Sequence, residues 1–129
     1  MIKFLLLITL LYTLQAKDLP WVHDYSIAIE QAKKTHKDIY LFIGADVCKF
    51  CDKFKSTALS DKATLKRLHE SYILVYLSRD RHTIPKGFEK VGVPRHYFLT
   101  SSQRRYYEDW GGREVEGFNL MLDEAELSR

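Results

Sequence analysis

Two unbroken apolar runs constrain this chain more than any other feature. "DIYLFIG" carries five apolar residues in a row, Ile39 to Ile43, bounded by Asp38 and Gly44. "YILVYLS" repeats the pattern from Tyr72. Runs of this length with no polar alternation predict strands buried on both faces, as in the middle of a sheet. Between them, "KFCDKFKSTA" and "KATLKRLHESY" carry apolar residues at helical spacing: Phe50, Phe54, Thr57 and Ala58, then Leu65, Leu68 and Tyr72. Ser60-Asp61 supplies a cap for the second of these helices. Strand, helix and strand in that order predict a parallel crossover unit.

The flanks extend this plan. "PWVHDYSIAIEQAKKTHK" predicts a first helix, capped by Asp24 or Ser26, with Tyr25, Ile27, Ala28 and Ala32 facing inward. "RDRHTIPKGFEKVGVP" reads as loop, with one short helical turn around Phe88 to Val91. "RHYFLT", the turn "SSQ" and "RRYYEDW" predict a β-hairpin, broken by Gly111-Gly112. "EVEGFNLMLDEAELSR" closes the chain as a helix lined by Val115, Phe118, Leu122 and Ala125. The expected fold class is α/β, a central mixed sheet flanked by helices. Tyr97, Phe98, Tyr106, Tyr107, Trp21 and Trp110 are expected to be packing residues. A length of 129 residues fits one domain, and 46% apolar residues suffice for a core. A net charge of +3, mixed in sign along the chain, argues against a nucleic-acid partner.

The N-terminus stands apart. "MIKFLLLITLLYTLQA" has one cation, Lys3, then an apolar run from Phe4 to Leu14 that ends at the small residue Ala16. The run is short for a bilayer span. It predicts a signal peptide over residues 1–16, cleaved after Ala16, and a mature domain over residues 17–129. An uncleaved anchor is the alternative. The expected location is an oxidising compartment, the bacterial periplasm.

That setting frames the stretch "GADVCKFCDKF", which holds the chain's two cysteines, Cys48 and Cys51. They fall where a buried strand gives way to a helix. A helix N-terminus favours a thiolate through its free N–H groups and dipole, and Lys49 adds a positive charge. Cys48 is therefore the candidate nucleophile and Cys51, one turn inside, the resolving thiol. Lys49 and Phe50 between them are candidates to tune the pair. Cys48 is expected to titrate below the free-thiol value of about 8.5, and the disulfide to have a potential above about −270 mV. A zinc site would need two more ligands, and the histidines His23, His36, His69, His82 and His96 form no H-x3-5-H pair. A copper(I)-carrying module and a purely structural bridge remain alternatives. His96 is ambiguous: it faces either the disulfide or, as the blander reading has it, the outer side of its strand.

These stretches together resemble the exported thioredoxin-like proteins. "KDIYLFIGADVCKFCDKF" resembles that family's strand and CxxC, "LSDKATLKRLHESYILVYLS" the helix and strand that follow, and "VGVPRHYFLT" its proline loop. Gly111-Gly112 resembles the glycine after the hairpin. The resemblance runs from about Trp21 to the C-terminus. It implies a thioredoxin-like fold and thiol–disulfide exchange with protein substrates that carry cysteines or disulfides. It implies no soluble cofactor and a membrane or periplasmic electron donor or acceptor. It also implies that Pro94 is cis beside the cysteines and that the Val93 backbone receives an extended substrate. The reading favours a monomeric reductase or isomerase over a dedicated oxidase. Three features depart from the family, one of them the dipeptide Lys49-Phe50 between the cysteines, which is neither Gly-Pro nor Pro-His. Val47 stands where tryptophan is usual, and Phe42 where a buried aspartate usually serves Cys51; a nearby glutamate or Asp46 is a candidate substitute, although Asp46 reads rather as a surface loop residue.

Overall fold

The computed structural model describes residues 20–129; the expected signal peptide lies outside them. Helix α1 spans Tyr25–Thr35, strand β1 Asp38–Gly44, helix α2 Lys49–Ser56, helix α3 Lys62–Ser71 and strand β2 Tyr72–Ser78. Strands β3, Arg95–Leu99, and β4, Arg105–Trp110, form the hairpin, and helix α4 covers Val115–Ser128. The sheet order is β2-β1-β3-β4. β1 and β2 run parallel, while β1–β3 and β3–β4 are antiparallel. The mixed α/β sandwich read from the sequence is therefore the fold.

The strands' alternation divides the core in two. Tyr40, Phe42, Leu74, Tyr76 and Phe98 point to one face, under Phe54 of α2, Leu68 of α3 and Phe118 of α4. Ile39, Leu41, Ile43, Ile73, Val75, Leu77 and Tyr97 point to the other, against Ala28 and Ala32 of α1. This is why neither run tolerates a polar residue: each strand is covered on both sides. The segment before α1 shields the outer edge of β2, where the Val22 N–H donates to Leu74 O at 2.8 Å and the Tyr76 N–H to Val22 O at 2.9 Å.

Several expectations need correction. Asp24, not Ser26, caps α1, and the stripe it sets puts Ile27 in solvent and half-buries Ile29. No helical turn forms at 88–91. Phe88 is instead pinned between Tyr25 and Tyr97, at centroid distances of 5.5 and 4.8 Å, and the chain then extends toward Pro94, which disfavours helix before it. Val115 lies at the exposed start of α4, and Met121 takes an inward place instead. Trp110, last in the edge strand, is 68% exposed and packs little.

The cap of α3 is testable. The Asp61 carboxylate accepts hydrogen bonds from the Thr64 N–H at 3.0 Å and the Thr64 hydroxyl at 2.9 Å. These bonds hold its pKa below the usual carboxylate value. Asp61→Ala is expected to lower the thermal midpoint by about 4 °C at neutral pH. Differential scanning calorimetry checks this; an unchanged midpoint would mean the cap is dispensable.

Candidate active site

Cys48 is the N-cap of α2, in extended backbone with φ −149° and ψ 99°. Its sulfur accepts the Cys51 N–H at 3.1 Å, taking up one of the donors that every helix start leaves free. Cys48 and Cys51 are joined in a disulfide, with Cα atoms 5.2 Å apart. The two sulfurs differ in access. Cys48 is half-buried, whereas Cys51 is 0% exposed, packed in the core beneath the helix. The difference is one of depth: Cys48 caps the helix at its open end, and Cys51 lies on the same face one turn further in.

Lys49 and Phe50 follow on the solvent side. Phe50 is 61% exposed, so it does not cover Cys51 as its place in the helical stripe suggests; Phe54 and Phe42 share the buried cluster of Cys51 instead. The Lys49 ammonium lies 5.8 Å from the Phe50 ring centre. Val47, just before the cap, is 95% exposed.

The proline loop meets this helix across β1. In the β1–β3 register Ile43 pairs with Arg95, so Pro94 lies level with Gly44. An added Cβ on Gly44 would stand 3.3 Å from Cys51 Sγ. The Val93–Pro94 bond is cis. Pro94 is buried, and Val93 is half-buried and packs on the same core cluster as Cys48. The turn after β4 completes the site. The Gly111 N–H donates to Pro94 O at 2.8 Å, in a left-handed conformation (φ 90°) that favours glycine. A Cβ on Gly112 would stand 3.2 Å from the Phe50 carbonyl oxygen, so the chain runs directly against α2 here.

His96 is not on an outer face. It is 0% exposed, stacked 5.9 Å from Phe42 and edge-on to Phe54 at 5.0 Å. The parity that puts Phe98 on the α2–α4 face puts His96 there too. Its Nε2 lies 2.8 Å from Gly111 O, which can only accept, so Nε2 carries the proton. Nδ1 then accepts the Tyr40 hydroxyl at 2.7 Å. Burial pushes its pKa down to about 4, so the ring is neutral.

Asp46 is no substitute for the missing carboxylate. It is an exposed loop residue, its Oδ1 accepting Ser78 Oγ at 2.8 Å and Arg81 Nε at 2.7 Å. Those two bonds hold its pKa below the usual range. Among the described residues, no cluster of three metal-ligating side chains forms. Tyr76, which no sequence motif marks, also belongs to the site: its hydroxyl borders Gly44. Its position on the same strand face as Phe42 was the available signal.

The arrangement is an accessible sulfur bonded to a sheltered one at a helix start, beside an extended loop. A profile described as thioredoxin-like matches residues 20–101. No curated protein sequence matches the chain. Its fold is similar to that of a thioredoxin from Thermus thermophilus, with 20% identity over 85% of this chain and 86% of that one, TM-score 0.68. It is likewise similar to the DsbH oxidoreductase, with 19% identity over 87% of each chain, TM-score 0.66. The oxidised C-terminal domain of Neisseria meningitidis DsbD is also similar, with 18% identity over 85% of this chain and all 100% of that domain, TM-score 0.65. At these identities the solved structures speak for the fold, and the profile, which spans most of the described chain, for descent. The chain belongs to the thioredoxin-like family.

Proposed function

We propose that this protein is an exported thiol–disulfide oxidoreductase acting on protein substrates, as a reductase or isomerase and not as a dedicated oxidase. The observation that carries the reading is the Cys48–Cys51 disulfide itself, with one sulfur reachable at a helix N-terminus and the other sealed in the core. In the reduced protein the Cys48 thiolate attacks a substrate disulfide. A Cys48–substrate bond forms, and the first substrate sulfur leaves as a thiolate that takes a proton from water. Cys51, having lost its proton, then attacks Cys48 Sγ, re-forming the internal disulfide and releasing the second substrate thiol. Two electrons pass from the cysteine pair to the substrate, and a membrane-bound or periplasmic donor must return them. Lys49 favours the Cys48 thiolate by its charge, and Phe50 offers an apolar contact beside it.

Val93 and Pro94 are assigned to substrate binding. No hydrogen bond joins the Val93 backbone to another described residue, which supports pairing with an extended substrate segment. The exported role rests on the leader-like pattern of residues 1–16, Lys3 followed by the apolar run that ends at Ala16.

Turnover on a protein disulfide, with a dithiol as reductant, tests the activity. Release of substrate thiols that requires both cysteines is the expected result. Stoichiometric copper(I) binding without exchange would overturn it in favour of a metal carrier. Export has its own test. Protein recovered from the periplasm is expected to begin at Lys17, as intact mass would show; a mass that retains residues 1–16 would refute cleavage.

A further inference from the structure

We propose that the Tyr76 hydroxyl donates a hydrogen bond to the Cys51 sulfur when the pair is reduced, and thereby speeds the step in which Cys51 releases substrate. The inference rests on the redox reading above and names the group that serves the resolving thiol.

Tyr76 Oη is buried and has no hydrogen-bond partner among the described residues. A buried hydroxyl left unpaired costs about 1–3 kcal/mol and is uncommon unless another state of the protein satisfies it. The space that Gly44 leaves beside this hydroxyl is shared with the resolving cysteine. An added Cβ there would lie 3.2 Å from Tyr76 Oη and 3.3 Å from Cys51 Sγ. In the disulfide, Cys51 Sγ is tied to Cys48 and the Tyr76 hydroxyl makes no bond to it. Reduction turns the same sulfur into a thiol or thiolate, and a thiolate is a strong acceptor. The phenol is also polarised: Lys55 Nζ stands 3.9 Å from the Tyr76 ring centre, and a cation over the ring makes the O–H a better donor.

The other titratable groups around this ring are His23 and His82, at centroid distances of 6.0 and 6.3 Å. Neutral His96 lies beyond Phe42. None of them is a carboxylate, and Asp46 is engaged by Ser78 and Arg81. Tyr76 donates a hydrogen bond in this step and transfers no proton. As Cys51 ionises, its proton goes to the departing substrate thiolate or to water, and the Tyr76 bond stabilises the charge left on sulfur. Cys51 Sγ then bonds to Cys48 Sγ while the Cys48–substrate bond breaks.

The Cys48→Ser protein isolates the effect, because Cys51 is then the only cysteine. With isotope-labelled cysteine, the Cβ NMR shift against pH reports its ionisation directly. Adding Tyr76→Phe, which removes only the oxygen, is expected to raise the midpoint by about one pH unit, a tenfold loss of thiolate. Gly44→Ala, whose methyl group would crowd both atoms at 3.2 and 3.3 Å, is expected to raise it as well and serves if Tyr76→Phe does not fold. In the Cys51→Ser protein, Tyr76→Phe is expected to leave the Cys48 midpoint in place, which a general structural disturbance would not do. An unmoved Cys51 midpoint, or equal movement of both cysteines, overturns the proposal. If the unaltered protein exchanges no disulfides, the redox reading fails, while the titration still decides whether this bond exists.

Discussion

Cys48→Ser is expected to abolish disulfide exchange, with a loss on the order of 10³-fold or more, whereas Cys51→Ser is expected to attack once and remain joined to its substrate. The asymmetry follows from access. A substrate disulfide can approach the half-buried Cys48 but not Cys51, which is 0% exposed. Serine suits the N-cap, so its hydroxyl can accept the Cys51 N–H that Cys48 sulfur accepts now. The helix start therefore survives the change, and the loss is chemical. Either substitution also removes the disulfide, worth about 2 kcal/mol for so short a loop. Reduced unsubstituted protein is accordingly the right reference for folding. Incubation with a substrate protein, a quench in acid and mass spectrometry give the test. A stable adduct on Cys48 in the Cys51→Ser protein, and none on Cys51 in the Cys48→Ser protein, is the expected pattern. Equal adducts on both, or steady turnover by Cys51→Ser, would defeat the assignment of roles. Alkylation of the reduced protein is expected to follow the same order, Cys48 well before Cys51.

The two parallel strands were legible because burial on both faces leaves a mark that needs no partner to decode, whereas the order β2-β1-β3-β4 was not. Ile39 to Ile43 and Tyr72 to Leu77 are apolar at every position, and no other common element asks for that. The Asp61 cap was legible for a similar reason: the side chain satisfies backbone groups of its own helix, a local matter, whereas the capping role of Cys48 sulfur emerges only from the structure. The site's surroundings were harder to read. Phe50 and Phe54 are the same residue type at helical spacing, yet Phe50 faces solvent and Phe54 the core. Their periodicity is compatible with either, and only the position of α4 and the Gly112 turn decides. Trp110 reads as core by its type, but it ends an edge strand where nothing reaches it. His96 and Tyr76 sit on the inward face by strand parity, so their burial was accessible in principle. What parity could not supply was the hydrogen-bond partner. Gly111 O lies 15 residues after His96, and the space beside Tyr76 exists because of a glycine on another strand.

Acid is expected to destabilise this protein through His96, by about 3 kcal/mol between neutral pH and pH about 4. In the folded chain burial lowers the His96 pKa to about 4 from the ordinary 6.5. Asp109 draws it slightly up and Arg113 slightly down, while the bond to Gly111 O favours the protonated ring. The unfolded chain therefore binds a proton at a pH where the folded chain does not. Stability from this group is complete above about 6.5, falls as pH drops, and is spent once pH passes the folded value. A loss of that size is a large part of the 5–15 kcal/mol typical of a domain. It also falls on the site, because His96 fixes the carbonyl of Gly111, whose N–H holds Pro94 O. Removing histidine alone would leave the Tyr40 hydroxyl unpaired in the core, so the informative variant is the pair Tyr40→Phe with His96→Leu, which removes that buried side-chain pair together and leaves only the Gly111 carbonyl without its donor. Other titrating groups are common to both proteins and cancel in the comparison. Denaturant unfolding at stepped pH is expected to show the double variant losing about 3 kcal/mol less than the unaltered protein as pH falls to about 4. Parallel curves for the two proteins would mean that His96 accepts a proton in the folded core without penalty, and would remove this explanation of its acid sensitivity.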